Sequence, residues 1–423
     1  MAMLWISLSA SAYDFEVDGF CYTITSYSDL ECEISSYKDA QNVVSIPSTV
    51  FYKGKELKVI SIGQEAFKNN TILTEIEFGP SILKVCTESF EGCSSLRKVL
   101  LNDGIEELGN YSFSNCHSLE NIALPASILN IYEGAFKNCY NLREIKLPDN
   151  VKTLQSMAFS GCSSLKSVSL LKIEKINDSA FEECANLEEV FLGSNLSEIG
   201  NRAFKKCSSL FSIDIPDNVT KIGEEVFSYT KLYNFYIPDN VIGIGKNTLL
   251  GCEDIRTISV GAKISEIAGS SLWGCNQLDS LIIRNSNFYL ILNGDESCFN
   301  NDYVPYYTSN PEYGAFEKLN VKYLEVNRDI MFLSHYYYSF GSYLSGGRNY
   351  SAPFSHNNYI ETLVIGESFL LSGNSRVTKG GFDPFTSYTY SRGWCFDNCN
   401  NLKNIIINKP DTSIPSRCFT NCI

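Results

Sequence analysis

The chain has only three histidines among its 423 residues: His117, His335 and His356. They form no H-x-x-x-H spacing, and the chain shows no phosphate loop and no nucleophile elbow. These absences remove the usual routes to metal-dependent, nucleotide-dependent and nucleophilic catalysis. The sequence reads as non-enzymatic, with no catalytic residue, no cofactor and no metal site. An excess of basic residues is also lacking. Lys and Arg number 34 against 48 Asp and Glu, a net charge of −14. That balance argues against nucleic acid or an anionic membrane as partner. No apolar run is long enough to span a bilayer, so no transmembrane segment is expected.

What the chain does have is a repeat. The pattern A/S-F-x-x-C-x-x-L returns about every 23 residues. It reads Ser89-Phe90, Cys93, Leu96, then Ser112-Phe113, Cys116, Leu119, then Ala135-Phe136, Cys139, Leu142. Ala158-Phe159 with Cys162, Ala180-Phe181 with Cys184 and Ala203-Phe204 with Cys207 continue it. After each leucine comes I/V-x-L/I, often with proline, as in Leu210, Ile213, Ile215, Pro216. A second apolar pair follows, such as Val219 and Ile222, and in several units a glycine, such as Gly109, Gly200, Gly223 and Gly245. The alternation of I-x-L predicts a strand with one buried face. The segment from glycine to cysteine reads as a turn or a single helical turn.

A fixed period of this kind predicts a solenoid. Neighbouring units stack like parallel strands, roughly 4.8 Å apart, so like residues sit above one another. Phenylalanines should form one buried spine, and Ala, Ser and Cys should fill the small column beside it. Leu249 and Leu272 replace phenylalanine, and Asn70 and Thr230 replace cysteine, as tolerated core swaps. One unit cannot bury its apolar face alone, so stability depends on neighbours.

In these residues the chain resembles the leucine-rich repeat family, in its BspA-like (Treponema pallidum type) subclass. Residues 210–227 carry the match most closely, through Leu210, Ile213, Ile215, Pro216, Val219, Ile222, Gly223 and Phe227. The likeness runs over 59–283 and returns at 395–423. The expected fold is an α/β repeat, mostly β: a curved right-handed solenoid with units of about 23 residues and an N-terminal β cap. The resemblance implies a secreted or cell-surface protein of a host-associated microbe. It also implies a protein ligand, with host extracellular matrix or surface proteins as partners.

The organisation follows from this. Residues 1–12 read as a signal-peptide remnant, with apolar Met3 to Leu8 and a small-residue Ala10-Ser11-Ala12 site, though no basic start. Residues 13–50 read as a cap hairpin turning at Asp18-Gly19. Regular repeats fill 51–283. Residues 284–394 are irregular: repeat cores persist at Val321–Val326 and Tyr359–Ile365, between insertions at Asp302–Tyr313, Ser334–Asn358 and Ser368–Gly393. A last repeat, 395–423, stops just before its next leucine, so a further unit is expected beyond it.

More than half of the 25 tyrosines lie in residues 284–394. Insertions of a solenoid map to one face, often the binding face, and Tyr, Ser, Gly and Asn make up antibody-type contact surfaces. The candidate ligand-binding residues are therefore Tyr306, Tyr307, Tyr336, Tyr337, Tyr338, Tyr343, Phe385, Tyr388 and Tyr390. Packing of these rings onto the solenoid is the competing reading, and both stand. The concave sheet positions are mostly small or polar, namely Glu75, Asn121, Glu144, Ser167, Ser212 and Thr257, with Phe191 and Tyr236 as the aromatic exceptions.

The 16 cysteines sit mostly one per unit in a single inward column. Side chains that point the same way suit a disulfide poorly, so these thiols read as free, small and apolar. Cys395 and Cys418 stand before phenylalanine in repeat variants, Cys86 takes a glycine position, and Cys21 with Cys32 is the pair expected to bridge. His117 takes a turn position that serine fills elsewhere and is expected to be exposed. Glu106, Glu107, Glu188, Glu189, Glu224 and Glu225 read as solvent positions, and a calcium site among the acidic loops is without support. Three functions fit the sequence: a secreted or surface protein-interaction protein, which is favoured; a stalk presenting another domain; and a carbohydrate-binding module built on the aromatic insertions.

Overall fold

The structure is a computed structural model that describes residues 13–267 without a break. Beyond these it describes 271–272, 274–275, 277–286, 290–293, 321–328, 330–335, 359–368, 375–380, 387–392, 399–408 and 422. The chain divides into two compact units, Met1–Lys172 and Ile173–Ile423.

The first unit opens with six strands: β1 (Phe15–Val17), β2 (Phe20–Ser26), β3 (Glu31–Tyr37), β4 (Val43–Ser45), β5 (Thr49–Tyr52) and β6 (Lys55–Ile62). β1 and β2 form the expected hairpin, with Val17 opposite Phe20. Its two turn residues, Asp18 and Gly19, have φ of 49° and 75°. Two left-handed residues match the right-handed twist of the strands, and Asp-Gly accepts them readily. β2 and β3 are antiparallel, and then the sense changes. β3 runs parallel to β6, with Ile34 opposite Ile62, and the parallel stack begins there.

From β6 the ladder passes to Lys84–Val85, Glu107–Leu108 and Asn130–Ile131. A second sheet starts at β4 and passes to Glu75–Glu77, Lys98–Leu100 and Asn121–Ile122, parallel throughout. Most repeats thus supply two short strands, while the segments 142–148 and 210–216 form none. Within the strands the alternation holds: Val99 is buried between exposed Lys98 and Leu100.

The helical turn allowed by the sequence is not there. Among the described residues there is no helix, so the α part of the α/β expectation is corrected. The reason is local. Left-handed residues bracket each phenylalanine: Glu88 (φ 57°) and Gly92 (φ 74°) around Phe90, and Tyr111 (φ 53°) and Asn115 (φ 60°) around Phe113. A left-handed residue every four positions cannot sustain a right-handed helix. The freed amides reach the next repeat instead. Glu88, Phe90 and Gly92 donate N–H to the carbonyls of Asn110, Ser112 and Ser114, each at 2.8 Å. The turns are therefore a third hydrogen-bonded ladder, and the buried backbone is paired as it must be.

The phenylalanine rings stack face to face in the core. Phe90 and Phe113 have centroids 5.1 Å apart and planes within 3°. Phe113–Phe136 and Phe136–Phe159 follow at 5.6 and 5.4 Å. In the second unit Phe181–Phe204 and Phe204–Phe227 repeat the arrangement at 5.5 and 5.8 Å. All of these rings are buried.

The second unit carries the same two-strand repeat into the irregular region. Leu281 pairs with Leu324, Leu324 with Leu363 and Leu363 with Ile405, all in parallel register. The cores expected at Val321–Val326 and within Tyr359–Ile365 are thus in the ladder. The segment Ser368–Gly393, read as an insertion, contains two strands. Ser375–Gly380 and Ser387–Arg392 form an antiparallel pair, and Ser387–Arg392 lies antiparallel against Ile330–His335.

Three local expectations are corrected. Cys21 and Cys32 are both free. Cys21 lies opposite Ser36 and its thiol faces Glu16, whereas Cys32 lies opposite Ile24 and its thiol faces the Lys58 carbonyl. The two sulfurs are aimed at different neighbours. His117 is half-buried, with its ring stacked on Tyr140 at 4.7 Å. Glu225 is mostly covered rather than solvated, because Arg202 and Lys205 both pair with it.

Candidate functional site

The inner columns are closed to ligands and to chemistry. Cys116, Cys139 and Cys162 are buried, and each donates its S–H to the carbonyl oxygen of the preceding repeat's phenylalanine. Burial holds their thiols well above the ordinary cysteine range. The same cause pushes Cys93 up to about 12. A thiol that does not ionise is neither a nucleophile nor a metal ligand. Among the described residues no group of three or more His, Cys, Asp or Glu is arranged to hold a metal ion.

The outward positions carry whatever recognition the repeats offer. Many hold ion pairs that run from one repeat to the next. Glu198 lies between Lys175 and Lys221, at 3.0 and 2.8 Å. Lys68 gathers Glu65, Glu88 and Glu91. The hydrogen bonds from Lys221 and Lys175 hold the Glu198 carboxyl below its ordinary value. These networks tie repeats together.

One stretch of the second unit departs from that pattern. Phe191, Phe211, Tyr233 and Tyr236 are 52, 53, 54 and 49 % exposed. Each is held by a buried neighbour in the chain: Val190, Leu210, Leu232 and Phe235. Phe191 lies in the strand Glu189–Leu192 and Tyr236 in the strand Asn234–Tyr236. The Phe181–Phe204–Phe227 stack sets their repeats two steps apart, with ring spacings of 5.5 and 5.8 Å per step. Phe211 and Tyr233 are direct neighbours, since the Tyr233 N–H donates to the Phe211 carbonyl at 3.0 Å. Four aromatic rings are thus presented on one side of three successive repeats.

Sequence reasoning found Phe191 and Tyr236 but missed Phe211 and Tyr233. A signal was available. The position after the repeat leucine is charged in most other units, as Arg97, Glu120, Arg143, Lys166 and Glu188, and these two units place a ring there. Of the nine candidates in the irregular region, Tyr306, Tyr307, Tyr336, Tyr337, Tyr338, Tyr343 and Phe385 lie outside the described residues. Tyr388 and Tyr390 fall on the strand Ser387–Arg392, opposite His335 and Leu333.

The first unit offers a different feature, an open cleft of about 440 Å³ lined by Val17, Phe20, Tyr22, Tyr37, Val44 and Phe51. It lies at β4, which ends its sheet among the described residues.

Comparison with known proteins places this geometry. The chain is similar to a leucine-rich repeat protein from Bacteroides ovatus ATCC 8483, at 24 % identity and TM-score 0.55, over 97 % of this chain and 93 % of that one. It is also similar to the T. pallidum leucine-rich repeat protein, at 28 % identity and TM-score 0.42, over 47 % of this chain and 90 % of that one. A leucine-rich cell surface protein from Faecalibacterium prausnitzii A2-165 matches at 18 % identity and TM-score 0.49, over 95 % and 98 % of the two chains. No curated protein matches the chain. The first of these likenesses shows the fold, with its short parallel strands. The BspA type leucine-rich repeat region matches in 6 copies over residues 60–188, 174–305 and 373–423, and the chain belongs to that family.

Proposed function

We propose that this chain is a non-catalytic interaction protein, secreted or held at the cell surface, that binds protein partners and serves adhesion to host proteins. The observation that carries the reading is the set of half-exposed rings, Phe191, Phe211, Tyr233 and Tyr236, standing on a hydrogen-bonded framework. Large rings held on a hydrogen-bonded backbone give contact area with little ordering cost, and interface energy concentrates in such residues. The surface association implied by the family supports the location, as does the apolar, small-residue start of the chain.

In this reading 1–12 is an export-signal remnant, and the hairpin within 13–50 caps the first apolar face. Residues 51–283 form the regular, right-handed and curved stack. Residues 284–394 carry the Tyr-rich insertions, and 395–423 is a further repeat. The tyrosines at 306, 307, 336, 337, 338, 343, 388 and 390, with Phe385, extend the contact surface.

The test is a panel of host extracellular matrix and surface proteins set against a panel of glycans, with the purified chain as probe. Binding to a protein is expected. Replacing residues 336–358 by a short Gly/Ser link leaves the strand Ile330–His335 whole and should weaken that binding without unfolding the repeats. A response confined to glycans would overturn the protein-binding reading. Full binding after the trim would return recognition to the sheet face alone.

A further inference from the structure

The four rings of the second unit sit among acids. The outward positions of their three repeats are Glu188, Glu189 and Phe191, then Phe211, Ser212 and Asp214, then Tyr233, Asn234 and Tyr236. None of these nine is Lys or Arg. Glu188, Glu189 and Asp214 are exposed, and none of the three forms an ion pair among the described residues. Elsewhere several carboxylates on the repeats are matched by a lysine or arginine one repeat away, as Glu75 is by Lys98 and Glu198 by Lys221. Here the matching position in the following repeat is taken by a ring or a small polar residue: Phe211 for Glu188, Ser212 for Glu189 and Tyr236 for Asp214. The base at the corresponding position of the following repeat, Arg256, donates its guanidinium to the Gln277 carbonyl one repeat further on.

Rings alternating with unmatched carboxylates suit one kind of group. A guanidinium or ammonium is attracted to the face of Phe or Tyr through the ring quadrupole. A carboxylate beside the ring adds a charge-assisted hydrogen bond, and arginine in particular can stack and pair together. An anionic or purely apolar ligand would leave the three carboxylates facing it without partners. We propose that this face, from Phe191 to Tyr236, binds an extended, arginine- or lysine-bearing polypeptide segment of the partner. Its cationic side chains lie on the four rings and pair with Glu188, Glu189 and Asp214. The inference rests on the protein-binding reading above and names the chemistry of the partner for it.

The probe is a labelled peptide of Arg-Ser-Gly repeats, with a Gln-Ser-Gly peptide as control, titrated with the full chain at low and at high salt. The arginine peptide should bind and the glutamine peptide should not. Phe191→Ala and Tyr236→Ala should each weaken binding roughly fivefold to thirtyfold, the range expected for losing one cation–ring contact. Tyr236→Phe keeps the ring and should restore affinity to within about twofold. Asp214→Asn should weaken binding and flatten its salt dependence. Glu120→Gln and Glu144→Gln remove the same charge from the first unit and should leave affinity within about twofold. All these side chains are exposed or half-exposed, so unchanged thermal unfolding confirms intact folding.

Two results would overturn the proposal. One is equal binding of the glutamine peptide. The other is indifference to both alanine variants with losses at Glu120→Gln and Glu144→Gln that match Asp214→Asn, which would mean diffuse attraction to an acidic chain. Failure here is distinct from failure of the broader reading. A host protein that binds and ignores Phe191→Ala and Tyr236→Ala refutes this partner chemistry and leaves adhesion standing. An arginine peptide that binds this face while no host protein binds the chain does the reverse.

Discussion

The Cys139 thiol donates to the carbonyl oxygen of Phe113, 3.2 Å away and one repeat back. That oxygen already accepts the N–H of Cys116 at 3.3 Å, so the thiol uses its second lone pair. The same relation joins Cys116 to Phe90, Cys162 to Phe136 and Cys207 to Phe181, each at 3.2 Å. Cysteine suits the position because it is small, tolerates burial and still donates. Thr230, which replaces it once, meets part of that need by bonding the Phe227 carbonyl of its own repeat.

Cys139→Ala should therefore destabilise the chain by about 1–3 kcal/mol, from a small void and a lost weak hydrogen bond. Denaturant unfolding measures it. A neutral result would reduce the cysteine column to simple space-filling.

Reactivity gives an independent check. Burial raises the thiols of Cys116, Cys139 and Cys162, and thiolate is the reactive form. Native-state labelling at these three should be slow and should become fast only on unfolding. Rapid labelling of the folded chain, or disulfides between successive repeats, would contradict the column as described.

Phe136 is stacked on both sides, against Phe113 and Phe159. Phe136→Ala should cost about 3–5 kcal/mol, as for buried aromatics generally. Phe136→Leu should cost less than half of that, because Leu249 and Leu272 fill the same column elsewhere while staying buried. Equal losses for the two variants would show that the ring stack, rather than filled volume, sets the stability.

The repeat period alone carries the parallel ladders, the buried phenylalanines and the inward cysteines. Those features depend on side-chain size recurring at a fixed interval, which a sequence displays directly. The turns were less legible. Helical and left-handed turns bury the same Phe90 and Cys93, and only the backbone angles at Glu88 and Gly92 separate them. The aromatic face was half legible: Phe191 and Tyr236 interrupt a polar column, whereas Phe211 and Tyr233 occupy a place where the chain usually carries charge. The Cys21–Cys32 expectation failed because closeness in a hairpin does not fix where two thiols point, and register does.

Ser112 offers the opposite test from the cysteines. Its Oγ is buried with no hydrogen-bond partner. Ser89, in the preceding repeat, donates to the Cys86 carbonyl, and Ala135, Ala158, Ala180 and Ala203 place no polar atom there at all. An unpaired buried hydroxyl costs about 1–3 kcal/mol. Ser112→Ala should thus leave stability unchanged or raise it by up to about 1 kcal/mol. A clear loss would mean that the hydroxyl has a partner, most simply a buried water.

Glu198 links three repeats through charge, and its pH dependence follows from its shift. The hydrogen bond from Lys221, with that from Lys175, holds its carboxyl below the ordinary value in the folded chain. A depressed folded value means that the unfolded chain binds the proton more tightly. The stabilisation is then complete above the unfolded value, about 4.3, and is lost as the pH falls through the folded one. Its size is modest, since Lys175 and Lys221 are 45 and 67 % exposed and water screens much of the attraction. Glu198→Gln should lower stability at neutral pH by no more than about 1 kcal/mol. The gap between variant and parent should narrow in acid and in high salt, because both weaken the same pairs. Denaturant unfolding of the two proteins across pH measures it. A gap that persists undiminished in acid would mean that Glu198 acts through packing of its side chain, not through its charge.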